Sequence, residues 1–440
     1  MTSISDPTTK EDSDHRPQRK VKAKRRSKIL AVVGVLFLAV AASAYFAAGF
    51  RCDQQLQQAN DSLKQGNLGL ARVAARAALQ VAWTQERRDH AKLVLARATL
   101  SDETLEEKAF LDAFASLEEI GPASSAYPDA IAERAKQMLL TQIRVRAAER
   151  LLKEVIQLEP RHLASNQLLF TIYCLTNRPD RADSAFWIGF PQIPVEEKPA
   201  AFRQWFLSQF TRNGANRAFD VGTGIVPPNI EPSDEDIIKR FIAFKDSEPD
   251  EATHYGAMAS WWLWRTETAE ALEILQIGQE RSTSVAEEVY LSSLVQALLN
   301  QGNFEQAKEL LEQWPESERG FNYLRHLGVY QQSINQTELA AQTYRKCLEI
   351  WPGPIDANVR HRLDQCLKEL GHTDEALKVE QQTAVARLWL EERWGMVRKA
   401  IDYMHDEQAV GVLLEFFTAI GKPEAVEFLK QYQADLKAKP

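Results

Sequence analysis

The side chains best equipped for chemistry in this 440-residue sequence are scattered rather than gathered. Its eight histidines form no HExxH pair, and its four cysteines (Cys52, Cys174, Cys347, Cys366) form no CxxC. Neither group has the close spacing that a zinc or haem site needs. No GxxxxGK[ST] or GxSxG occurs, so neither a phosphate-cradling loop nor a nucleophile elbow is present. Gly222-Thr223-Gly224 lacks the third glycine and the strand-turn-helix setting of a dinucleotide loop. Carboxylates are abundant, but on helices a charge run is usually a solvated face, and nothing pairs two of them as acid and base. The sequence therefore predicts no catalytic residue, no cofactor and no metal.

Tryptophan is the remaining chemical signal. Trp261, Trp262 and Trp264 cluster, and Trp187, Trp205, Trp389 and Trp394 lie elsewhere. Such rings stack on sugars, grip peptides or fill cores. A carbohydrate- or polymer-binding middle region (187–264) is thus the alternative reading of function. The direction in which Trp205, Trp261 and Trp264 point discriminates it from a protein-binding surface.

The elements that would position these groups are helices. Ala271, Ala307, Ala340 and Ala376 fall 36, 33 and 36 residues apart, and Ala148 and Ala182 are 34 apart. Each opens a stretch with amphipathic helical spacing, and several follow a short turn (GNFEQA, GHTDEA). A small residue at this period marks a helix-turn-helix unit that stacks on copies of itself. No β-alternation exceeds a few residues. One pair cannot bury both of its apolar stripes alone, so neighbours must cover them.

These units resemble tetratricopeptide repeats. The unit from Phe321 has Leu327-Gly328, Ala340, Tyr344, Cys347 and Pro352. The unit from Leu163 has Leu169, Tyr173, Ala182, Phe186 and Pro194. Others start at Ala252 (Tyr255, Ala259, Trp262, Ala271), Glu288 (Leu294, Leu298, Gly302, Phe304, Ala307, Leu311) and Ala357 (Leu363, Leu367, Gly371, Ala376). Near the N-terminus, the unit from Cys52 has Ala59, Gly66, Ala71, Ala75 and Ala78. The resemblance implies an all-α fold, a right-handed superhelical solenoid of tetratricopeptide-like repeats with a concave face. It also implies that the first helix of each pair lines that face. Carried onto this chain, the lining is Ser292, Gln296 and Asn300, then Asn322, Arg325 and Gln332, then Asn358, His361, Gln365 and Lys368, with Trp264 at a groove-facing position. Amides and guanidinium groups there can hydrogen-bond an extended peptide or a carboxylate. The implied partner is a protein or peptide, and the implied role is a non-catalytic scaffold. Similar repeat proteins serve envelope assembly, secretion or export.

Charge and hydropathy set the compartment. The net charge is −8, yet residues 1–28 carry nine Lys/Arg and four Asp/Glu, which leaves −13 on the rest. An acidic body argues against nucleic acid, whose phosphates need a basic surface. Ile29 to Phe50 is an uncharged apolar run of 22 residues. At about 1.5 Å per residue it reaches about 33 Å, enough to cross a hydrocarbon core. Eight Lys/Arg flank it on the N-terminal side, within residues 16–28. The expectation is a single-pass cell-membrane protein, its N-terminus cytoplasmic and its repeat domain on the non-cytoplasmic side. A cleaved signal peptide, with Ala42-Ser43-Ala44 as the cleavage site, is the rival. Ala39, Ser43 and Ala47 form a small-residue line that could pair two helices, one route to self-association; the repeat array is another. The expected organisation is a basic, disordered tail (1–28), a transmembrane helix (29–50) and a repeat array (51–382). An irregular insertion is expected at about 188–233, around VGTGIVPPNIEPSDED, and a C-terminal helical cap at 383–440. The cysteines read as buried thiols, although Cys347 and Cys366 could meet.

Overall fold

The computed structural model describes residues 18–102, 104–210, 233–350 and 357–438. The chain divides into two compact units, Met1–Tyr127 and Pro128–Pro440. Among the described residues no strand forms; one isolated bridge links Glu251 and Ser284.

The first unit holds α1 (Gln18–Lys64), α2 (Leu68–Val81), α3 (Gln85–Leu100) and α4 (Glu107–Glu118). The end of α1 packs on α2, alanine against alanine. Ala59, Ala71, Ala75 and Ala78 are wholly buried there. The Cys52 thiol donates to the Ala78 carbonyl at 3.5 Å, which fixes the register of the pair. Gly66, at φ +73°, makes the connecting turn in a conformation that glycine adopts without steric cost. Arg87 of α3 forks onto Asp53 of α1, both contacts at 2.9 Å.

Helix α1 already begins at Gln18, so part of the stretch read as a disordered tail is helical. Residues 1–17 lie outside the described residues. Among the described residues no helix is long and apolar enough to cross a membrane. Within Ile29–Phe50 only part of the side chains is described, none of them before Leu36. Where the run is described, the Ser43 hydroxyl donates to the Ala39 carbonyl at 2.8 Å, within its own helix.

The second unit opens with α5 (Tyr127–Leu140) and α6 (Val145–Leu158). Four helix pairs carry the repeat in phase further on. They are α11 (Ala252–Trp264) with α12 (Thr268–Arg281), α13 (Glu288–Asn300) with α14 (Phe304–Gln313), α15 (Phe321–Ser333) with α16 (Thr337–Ile350), and α17 (Ala357–Glu369) with α18 (Thr373–Arg387). An earlier pair joins α7 (Leu163–Leu175) to α8 (Pro179–Gly189). The periodic alanines Ala148, Ala182, Ala271, Ala307, Ala340 and Ala376 are all buried. Gly328 explains the close crossing in its repeat. A Cβ there would sit 2.4 Å from the Tyr344 ring of α16. Each pair turns on one left-handed residue: Asn177, Thr266, Asn335, Gly302 and Gly371 have φ between 55° and 75°. Thr266 is the strained one, because a β-branched side chain in that region costs about 1–2 kcal/mol.

Two elements depart from the expected organisation. Within 188–233, the described part includes α9 (Lys198–Phe210), a helix whose Phe202, Trp205 and Phe206 are completely buried. Its aromatic residues supply the apolar face that a loop would lack. VGTGIVPPNIEPSDED lies outside the described residues up to Ser233. There Ser233 caps α10 (Asp234–Ser247) in a reciprocal box with Asp236, as its acidic start implies. The second departure is the C-terminal segment. A π-helical turn (Leu388–Glu392) leads to α19 (Trp394–Asp402), α20 (Glu407–Ile420) and α21 (Pro423–Ala438). These helices do more than cover the last repeat. They share one hydrophobic core with α7, α8 and α9. Phe202 packs on Phe417 and Phe428, and Arg203 pairs with Asp402 at 2.6 Å. All four cysteines are buried, and none is paired in a disulfide.

Candidate functional site

The first helices of three consecutive pairs (α13, α15 and α17) face one another across a cleft of about 380 Å³. Its lining includes Gln296, Asn300, Arg325, Asn358, His361 and Gln365, six of the residues that the repeat pattern points to. It adds His326 and Arg362, over an apolar floor of Leu299, Val329 and Val359. No carboxylate is among the lining residues. Two guanidinium groups and four side-chain amides therefore face the same space, in a protein whose net charge is −8.

Local hydrogen bonds order this surface. The Arg362 guanidinium donates to Gln332 at 3.0 Å, and the same Gln332 oxygen accepts from the Tyr344 hydroxyl at 3.1 Å. Gln332 reaches Gln365 at 3.5 Å, and Gln365 contacts the His361 ring at 3.1 Å. Arg325 reaches Gln296 at 3.5 Å. Behind it, His326 is buried, its Nε2 2.9 Å from the Ser292 hydroxyl. Burial, with the Arg325 charge beside it, holds this imidazole well below its ordinary pKa, so it is neutral. An electropositive cleft of amide and guanidinium donors, with amide carbonyls as acceptors, suits an extended backbone and acidic side chains.

The remaining sequence-predicted residues lie elsewhere. Ser292 and Asn322 are buried rather than open to a ligand. Ser292 is buried against His326, and the turn between α7 and α8 sits against Asn322. The Asn322 amide donates to the Asn177 carbonyl at 3.0 Å, and the Phe321 N–H donates to Asp180 at 3.0 Å. Arg181 pairs with Glu288 at 2.8 Å beside them. Gln332 supports the cleft from one side. Lys368 lines a neighbouring hollow and is held by Asp364 and Glu380, at 2.9 and 3.2 Å. Trp264 is exposed at the end of α11, away from the cleft lining. Arg362 is the residue that sequence reasoning missed. It lies four residues after Asn358 and three before Gln365, so helical spacing alone puts it on their face.

The tryptophans give the discriminating result. Trp205 is fully buried, stacked on Phe186 at 5.5 Å with an interplanar angle of 17°. Trp187 meets it edge-on at 5.1 Å. Trp261 and Trp262 pack on each other and against the hydrophobic core. Trp205 is interior packing and Trp261 and Trp262 are half-buried against the core, while Trp264 stays exposed, so two of the three discriminating rings count against the glycan reading. No group of three or more metal-ligating side chains gathers among the described residues.

No protein-family profile and no curated protein matches this chain. Among solved structures, it is similar to the APC/C hetero-tetramer Cut9-Hcn1, with 12% identity and a TM-score of 0.36 over 88% of this chain and 74% of that one. It is also similar to a tetratricopeptide repeat protein from Parabacteroides merdae ATCC 43184, with 13% identity and a TM-score of 0.27 over 64% of this chain and 99% of that one. A third likeness is to the P58(IPK) TPR domain, with 12% identity and a TM-score of 0.22 over 88% and 99% of the two chains. Overlaps this low bear no weight on function. The tetratricopeptide-like fold stands on the helix pairs themselves.

Proposed function

We propose that this protein is a non-catalytic interaction scaffold that holds an extended, acidic segment of a partner protein in the cleft between α13, α15 and α17. One observation carries the reading: Arg325 and Arg362 share a carboxylate-free cleft with four side-chain amides. The chain's own turn supports it. Just upstream on the same inner face, Asn322 grips the main-chain carbonyl of Asn177, as a bound peptide would be gripped.

The proposal includes a membrane tether. Ile29–Phe50 anchors the chain, residues before it stay in the cytoplasm, and the repeats lie on the other side. The uncharged run, its basic flank and the unbroken helix from Gln18 to Lys64 support this reading. A tethered scaffold of this kind belongs in an envelope assembly, secretion or export complex.

The test is a crosslinking pull-down of the intact protein from membranes, repeated with Arg325→Glu and Arg362→Glu together. Two like charges facing an acidic segment cost several kcal/mol, so the main partner is expected to be depleted at least tenfold. A thermal melt by circular dichroism checks that the variant stays folded. An unchanged partner set from a folded variant contradicts the cleft assignment.

A further inference from the structure

We infer that the turn between α2 and α3 is a foot that seats the first unit on a lipid bilayer, with Trp83 entering the headgroup–acyl boundary. The inference rests on the membrane-anchor reading of Ile29–Phe50. Trp83 is left 63% exposed by folding. It is not isolated. Its ring packs edge-on against Tyr45 at 6.3 Å, and Tyr45 packs in the same way against Phe46 at 6.0 Å. Phe46 and Phe50 are 74% and 73% exposed. Three rings from α1 and one from a turn 33 residues beyond Phe50 therefore gather at one end of the unit.

Register sets the height of this patch. Cys52 lies opposite Ala78, and α2 runs antiparallel to α1. Moving on along α2 to Trp83 thus means moving back along α1 to Tyr45. Tyr45 is five residues inside Phe50, the outer end of the apolar run, or about 7.5 Å along the axis. In a bilayer that depth is the top of the acyl layer, just below the headgroups, where the apolar body of Trp or Tyr lies in lipid and its polar tip reaches toward water.

The flanking charges fit the same surface. The Arg87 guanidinium lies over Gly49, where an added Cβ would come within 3.0 Å of it. The Arg88 side chain donates to the Ala82 carbonyl at 3.1 Å. Arg51 follows Phe50 directly. Arg51 and the Asp53-paired Arg87 thus stand toward the outer, Phe50 end of the aromatic patch, on the side where lipid phosphates lie. The foot would hold the first unit at a fixed angle to the membrane instead of leaving it to swing from a single helix.

The intact chain is reconstituted into phosphatidylcholine vesicles, with and without bromine on the upper acyl carbons, and compared with Trp83→Phe. The apolar run contains no tryptophan, so lipid quenching reports the foot. Brominated lipid is expected to remove the emission of one tryptophan in ten from the wild type, and none from the variant. If both proteins float with the vesicles and are quenched alike, or neither is quenched, the foot is overturned and the anchor stands. The patch would then face a second copy or a protein instead. If the wild type fails to float, the anchor falls and the foot falls with it.

Discussion

Replacing Glu149 with alanine is expected to cost about 3–5 kcal/mol, the usual penalty for stranding a buried charge. Glu149 of α6 is fully buried, and both its oxygens accept from Arg178 at 2.8 Å. Arg146 and Lys153 add contacts at 2.7 and 2.8 Å. Burial alone would raise this carboxyl, but Arg178, Arg146 and Lys153 together hold it well below its ordinary pKa, so it is charged. Arg178 directly precedes α8, and Arg146 reaches Glu287 at 2.7 Å, just before α13. The carboxylate therefore joins three separate stretches of the second unit. Truncation leaves Arg178 buried without its hydrogen-bonded counter-charge. Typical domains have only about 5–15 kcal/mol to lose. Urea unfolding followed by circular dichroism measures the loss. Glu149→Met with Arg178→Met should recover much of it, since an apolar pair of similar volume removes the stranded charge. A Glu149→Ala loss under about 1 kcal/mol would show that the network carries little of the stability.

Trp205→Ala is expected to cost a similar 3–5 kcal/mol, from the cavity and lost burial of a large aromatic side chain. Its ring is sandwiched among Phe186, Phe202 and Phe417, with centroids 5.3 to 5.7 Å away. Its indole N–H donates to Asp183 at 3.1 Å, and Lys422 holds the same carboxylate at 2.5 Å. Phe417 and Lys422 belong to the C-terminal segment, so the defect should loosen that segment first. Limited proteolysis should cut within residues 383–440 before the repeat pairs. Cleavage spread evenly over the chain, or a variant as resistant as the wild type, would refute Trp205 as the link.

The contrast between these sites and the repeats shows what the sequence made legible. Ala271, Ala307, Ala340 and Ala376 could be read because helix crossing demands a small residue once per repeat. Such a demand is local and periodic. Part of the cleft lining was legible through the resemblance: Gln296, Arg325 and Gln365 stand at positions it assigns to the inner face. Glu149 and Arg178 were not legible as a pair, because 29 residues separate them and each resembles an ordinary solvated charge on an amphipathic helix. Trp205 was legible as aromatic but not as central, because its partners Phe417 and Lys422 lie more than 200 residues away. Ser292 and Asn322 carried the right pattern for a groove. Asn322 is covered by the turn at Asn177–Arg181, which no repeat rule places on the inner face, and Ser292 is buried against His326.

The most direct test puts a photo-crosslinking amino acid at Gln365, in the cleft, and at Leu339, exposed on α16 away from it. In membranes, the cleft position is predicted to capture one partner polypeptide that Leu339 does not, and to lose it when Arg325 and Arg362 are both changed to Glu. Equal adducts from both positions, or adducts from Leu339 alone, would contradict a scaffold that works through this cleft.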